Sequence, residues 1–164
     1  MDLNRDFEEM LSELSNANVR FLVVGAYAVG YHSEPRYTKD LDIWVEPTPE
    51  NAERVWLALA RFGAPLKNIP ASDFTDPKLV YQLGVEPNRI DILTGIEGCT
   101  FANAWRRRVR ARFGRVDCYV LGRNDLIRAK RAVGRPQDLR DIELVTGRVG
   151  ARRPRRTARK RKRS

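Results

Sequence analysis

Two aspartates one residue apart open an otherwise apolar run, DLDIWVE at 40–46. Such a run reads as a β-strand, and alternate residues on a strand face the same way. Asp40 and Asp42 therefore project together, with Leu41 and Ile43 on the opposite face. A second apolar run, NRIDIL, carries Asp91 between Ile90 and Ile92. A fold that sets these two strands side by side brings three carboxylates together. Like charges that close repel unless a cation lies among them. A hard divalent ion such as Mg²⁺, or Mn²⁺ in its place, is the simplest such partner. Three acids can hold two metals in the arrangement used for in-line attack at phosphorus. Each acid alone has a plainer reading: Asp40 pairs with Lys39 or Arg36, Asp42 caps a turn, and Asp91 ends a strand. The three together call for the cation.

The surrounding pattern predicts the scaffold. Phe7, Met10, Leu11 and Leu14 fall at helical spacing within residues 2–16. RFLVVG is a short apolar strand that ends in Gly25, and AYAVGYH opens a short helix after it. Backbone N–H groups at such a strand-to-helix junction can receive a phosphate. TPENAERVWLALARFG is a helix with Thr48 as its cap and Pro49 in its first turn. Residues 63–78 are rich in Pro, Asp and small residues and read as a loop. LVYQLGVEPNRIDILTG gives two strands around a turn at Glu86, Pro87 and Asn88. TFANAWRRRV is a short helix, and RARFGRVDCYVL is a strand pair turning at Gly114. NDLIRAKRAVG and PQDLRDIELVTG are two helices split by Gly134, Arg135 and Pro136. This order predicts an α/β or α+β domain, a small mixed β-sheet flanked by helices, over residues 1–150.

Charge divides the chain differently. The net charge is +10, but the last thirteen residues, RRPRRTARKRKRS, hold nine basic side chains and no acid. They are Arg152, Arg153, Arg155, Arg156, Arg159, Lys160, Arg161, Lys162 and Arg163. Removing those nine from +10 leaves the body near +1. Residues 151–164 are thus expected to form a disordered basic tail. It is either a solvated appendage or an attractor for RNA or another polyanion, through phosphate contacts that release counterions. WRRRVRARFGR at 105–115 is a second basic cluster that could extend such a surface. No apolar stretch is long enough for a membrane span, and the N-terminus lacks the apolar run of a secretory signal. Cys99 and Cys118 have no metal-ligand spacing and are expected as reduced core thiols of a cytoplasmic protein.

The order strand–Gly25, then Arg36-x-Thr38-x-Asp40-x-Asp42, then Asp91 on a separate strand, resembles the minimal nucleotidyltransferase superfamily. Within it the chain is most similar to the abortive-infection toxin type, found in bacterial toxin–antitoxin systems and in related stand-alone proteins. The later segment LIRAKRAVGRPQDLRDIEL is similar to that branch's Lys-bearing helix with its Asp-rich sequel. The resemblance spans residues 18–146 and implies a Mg²⁺- or Mn²⁺-dependent transfer of a nucleoside monophosphate from a nucleoside triphosphate. The resemblance leaves the acceptor hydroxyl open among an RNA 3′ end, a protein and a small molecule, with the basic tail favouring RNA, and a cognate antitoxin is an implied partner. Asp40, Asp42 and Asp91 are the implied metal ligands, with Asp91 also accepting the proton of the attacking hydroxyl. Gly25 and Ala26 present backbone donors, and Arg36, Thr38 and Lys130 contact phosphate oxygens. Many members carry Gly-Ser or Gly-Gly where this chain has Gly25-Ala26, so a backbone N–H remains but no hydroxyl.

Several of these residues have other uses. Lys130 follows Leu126 and Ile127 at helical spacing, so its stem can lie over apolar neighbours. Asp138 and Asp141 are expected to form an ion-pair network with Lys130 or Arg135. His32 is expected at a helix end rather than as a base, and Asp117 at an outward strand position. The rival function is a protein that keeps the fold with little or no catalysis and binds nucleic acid or a partner protein.

Overall fold

The computed structural model describes residues 3–34 and 38–147. Arg36 and the basic tail from Arg152 onward lie outside the described residues. Helix α1 spans Arg5–Asn16, β1 Phe21–Val24, α2 Gly25–His32, β2 Asp40–Val45 and α3 Pro49–Phe62. Then come β3 Val80–Leu83, β4 Arg89–Leu93, α4 Phe101–Arg106, β5 Val109–Phe113, β6 Val116–Val120, α5 Arg123–Val133 and α6 Pro136–Thr146. This is the mixed α/β class expected. One difference lies in the segment read as a loop, where Ala71–Thr75 forms a 3₁₀ turn that buries Phe74 completely. A lone aromatic in a polar stretch has no periodicity to betray it. Among the described residues, no helix is long and apolar enough to cross a membrane.

Helix boundaries follow local chemistry. The Asn4 side chain accepts a hydrogen bond from the Asp6 N–H at 2.7 Å and caps α1. Thr48 does the same for the Asn51 N–H at 3.3 Å, with Pro49 in the first turn of α3. The apolar face of α1 buries Phe7, Met10, Leu11 and Leu14 completely. Each such side chain contributes roughly 1.5–3 kcal/mol of transfer free energy.

The six strands form one sheet in the order β3-β4-β2-β1-β6-β5. β2 runs antiparallel to β1 and parallel to β4. β6 runs parallel to β1 and antiparallel to β5. Register and the two-residue period sort the side chains onto two faces. Leu41, Ile43, Ile90, Ile92, Val23 and Val120 form a wholly apolar face. Asp40, Asp42, Trp44, Arg89 and Asp91 share the other. On that face the Trp44 ring meets Phe101 of α4 edge-on at 5.1 Å, and Phe101 stacks on Trp105 at 5.6 Å.

Asn51 locks β1 to β2. Its buried side chain accepts from the Arg20 N–H at 2.8 Å and donates to the carbonyls of Arg20 at 3.1 Å and Glu46 at 2.9 Å. Asn51→Ala leaves these backbone groups without partners and is expected to cost about 2–4 kcal/mol in denaturant unfolding. A loss under about 0.5 kcal/mol would show that water replaces the side chain.

Candidate active site

Sheet register assembles the acids. Asp42 on β2 sits directly beside Asp91 on β4, and Asp40 beside Arg89. One carboxylate oxygen from each of Asp40, Asp42 and Asp91 lies within 4.8 Å of the others. On the other flank of β2, Val24 is the partner of Asp42. The next residue, Gly25, therefore passes over the Asp42 carboxylate. Its φ is +67°, and a Cβ there would lie 2.1 Å from Asp42 Oδ2. Both the backbone conformation and the space demand glycine.

Arg89 was not singled out from the sequence, yet it belongs to this cluster. Its terminal nitrogen donates to Asp40 Oδ2 at 2.9 Å and to Asp91 Oδ2 at 3.3 Å. Its Nε lies 3.2 Å from Asp91 Oδ1 as an ion pair. That approach is too poorly aligned for a hydrogen bond, so both atoms are buried without one. The signal was present: Arg89 precedes Asp91 by two positions on one strand and so shares its face. Among the described residues Asp40 pairs across the strands with Arg89, while the expected pairing with Arg36 lies outside the described residues.

Arg89 offsets only part of the charge. Burial, then the neighbouring charges of Asp91 and Asp40, push the Asp42 carboxyl up to about 7. A divalent cation would reverse that penalty. The donor set is all carboxylate oxygen, the chemistry that hard cations select. Asp91 Oδ1 lacks a hydrogen bond, and Gly25 keeps side-chain bulk off Asp42. Asp40, Asp42 and Asp91 thus fit Mg²⁺ or Mn²⁺.

A cavity of about 260 Å³ opens from Asp42. Gly25, Leu93, Leu121, Leu126, Lys130 and Arg135 are among the residues that line it. The α5–α6 hairpin supplies its other wall. Gly134 ends α5 in the left-handed region at φ +73°, and Pro136 starts α6 immediately. That sharp return brings Asp138 and Asp141 against Lys130. The Lys130 Nζ lies 3.3 Å from Asp138 Oδ1 and 3.0 Å from Asp141 Oδ2, with both carboxylates buried. Arg135 pairs with Asp138 through two donors, at 2.7 and 3.2 Å. These bonds from Arg135, with those from Lys130, hold the Asp138 carboxyl down at about 2. The expected ion-pair network is present, and Lys130 lines the same cavity as Asp42.

The remaining candidates are placed as follows. Ala26 is the second residue of α2, whose N-terminus has no side-chain cap. Thr38 donates its hydroxyl to the Asp40 carbonyl at 3.2 Å and so braces the start of β2. His32 ends α2, with Nε2 2.7 Å from the Leu121 carbonyl oxygen. Asp117 is exposed and pairs with Arg112 at 3.7 Å. Cys99 and Cys118 are free thiols.

The two shifted carboxyls set opposite slopes of stability with pH in chelator-treated protein. Asp42, raised from 3.8 to about 7, lets the folded state keep a proton that the unfolded chain gives up. Its contribution is therefore lost as pH rises from about 4 to 7. Asp138, lowered from 3.8 to about 2, contributes above pH 4 and is lost as pH falls towards 2. Asp42→Asn is expected to flatten the upper slope and raise Tm at pH 8 by about 3 °C or more. Thermal melts between pH 3 and 8 read both effects, and an unchanged upper slope would exclude Asp42 as its source.

No protein-family model matches the chain, and comparison with curated proteins gives no match.

Proposed function

We infer that this protein is a metal-dependent nucleotidyltransferase, moving a nucleoside monophosphate from a nucleoside triphosphate to an acceptor hydroxyl. The observation that carries the reading is one cavity joining three roles. Asp42 brings to it a cluster of three carboxylates within 4.8 Å. Gly25 brings the uncapped start of α2. Lys130 brings a cation held in place by Asp138 and Asp141.

Asp40, Asp42 and Asp91 are the residues that hold Mg²⁺ or Mn²⁺. Bound there, the metal offsets triphosphate charge and the charge that develops as the phosphoanhydride breaks. Backbone N–H groups of Gly25 and Ala26 face phosphate oxygens. Lys130, with Arg36 and Thr38, positions and neutralises them. The acceptor oxygen bonds to the α-phosphorus, the bond from that phosphorus to the bridging oxygen breaks, and pyrophosphate leaves. Asp91 takes the hydroxyl proton.

An RNA 3′ end is the acceptor this surface favours. Tyr119 and Asp117 of β6 lie opposite Arg110 and Arg112 of β5, on the face that carries the acids. Arg110 and Arg112 are exposed, at the sheet edge. Three strand spacings separate β5 from β2, about 14 Å. Arg108 stacks between Trp105 at 4.1 Å and Tyr119 at 4.5 Å on the same side. A polyanion can therefore lie along this strip with its end near the acids.

Calorimetric titration with ATP, GTP, CTP and UTP plus Mg²⁺ tests the first part. One or more should bind wild type, and Asp40→Ala/Asp42→Ala should weaken that binding at least about tenfold. Binding of none by folded protein would remove the enzyme reading. Arg110→Glu/Arg112→Glu is expected to leave triphosphate binding intact and to reduce RNA binding at least about tenfold. Equal loss of both, read in the same titrations, would point to misfolding instead.

A further inference from the structure

Arg89 does more than accompany the acids. Its guanidinium bridges β2 and β4, reaching Asp40 at 2.9 Å and both oxygens of Asp91 at 3.2–3.3 Å. Its side chain is 29% exposed, so the charge sits where water screens it incompletely. Once all three are ionised, the carboxylates bring three negative charges within 4.8 Å, and Arg89 returns one positive charge to them. The balance of two negative charges matches one divalent cation. A second divalent ion would turn the cluster positive and would meet the guanidinium at the Asp40–Asp91 side.

We propose that Arg89 is a built-in substitute for a second metal ion: without nucleotide the acid cluster takes one divalent cation, and Arg89 excludes another from Asp40 and Asp91. This rests on the metal-binding reading of the same three acids. Arg89 is a positioning residue, acting through Asp40 and Asp91.

The test counts metal on the full chain without nucleotide. Mn²⁺ titration at pH 8, followed by electron paramagnetic resonance of the free ion, gives stoichiometry and affinity. Wild type is expected to bind one Mn²⁺. Arg89→Gln is expected to bind two, or to bind the first at least about tenfold more tightly, because a unit positive charge has left a partly buried site. Arg89→Lys keeps the charge and should resemble wild type in affinity. Thermal melts with and without Mn²⁺ check that each variant folds, and the wild-type count stands even if Arg89→Gln does not. Two ions on wild type overturn the proposal and leave the metal site standing. So does an Arg89→Gln variant with wild-type stoichiometry and affinity. Specific binding to neither protein overturns the proposal together with the metal reading.

Discussion

Three carboxylates within 4.8 Å must be held there against their own repulsion. The sheet does this through backbone pairing, which side-chain charge cannot easily undo. Asp42 and Asp91 are cross-strand partners on the parallel pair β2–β4, flanked by β1 and β3. Beneath them, Leu41, Ile43, Ile90 and Ile92 are fully or almost fully buried. A one-residue slip would turn those aliphatics outward and the acids inward, so the apolar face fixes the register that the charged face needs. Electrostatic strain at Asp42 is sustained by packing on the opposite side of the same strands.

The opposite wall of the cavity is built from a different element by a different rule. Lys130 belongs to a helical hairpin whose turn depends on Gly134 in the left-handed region and Pro136 at the next helix start. Buried Asp138 and Asp141 give its ammonium a fixed partner set rather than free solvent. An amine held this way keeps little rotational freedom. The two walls are thus prepared independently. One is an acid cluster short of positive charge, and the other is a cation held between acids.

Much of this arrangement was legible in the sequence because it obeys short periods. The alternation in DLDIWVE put Asp40 and Asp42 on one face, and NRIDIL announced an acid where a core residue was due. The helix ends at Thr48, Gly63, Gly134 and Pro136 were marked by residues with few other uses. Arg89 escaped because an arginine near a turn is ordinarily solvated, and only the partner strand shows that it faces Asp40. The burial of Phe74 escaped for a related reason, since its partners, among them Tyr81 in an edge-to-face contact at 5.9 Å, are set by tertiary packing. The cavity is also tertiary. Nothing local states that Leu126 and Lys130 of α5 will stand opposite Gly25 and Asp42.

Asp42 and Asp91 are neighbours across a strand pair yet stand 49 positions apart in the chain. Between them lie α3, the 3₁₀ turn and all of β3. A growing chain therefore exposes the first two acids long before the third exists. Closing such a loop is slow relative to local helix formation, because its entropy must be met before the pairing returns anything. The cluster is complete only once β2 and β4 have paired, and any ion that recognises all three acids recognises only chains that have completed the sheet. A partly folded copy therefore has no assembled acid cluster.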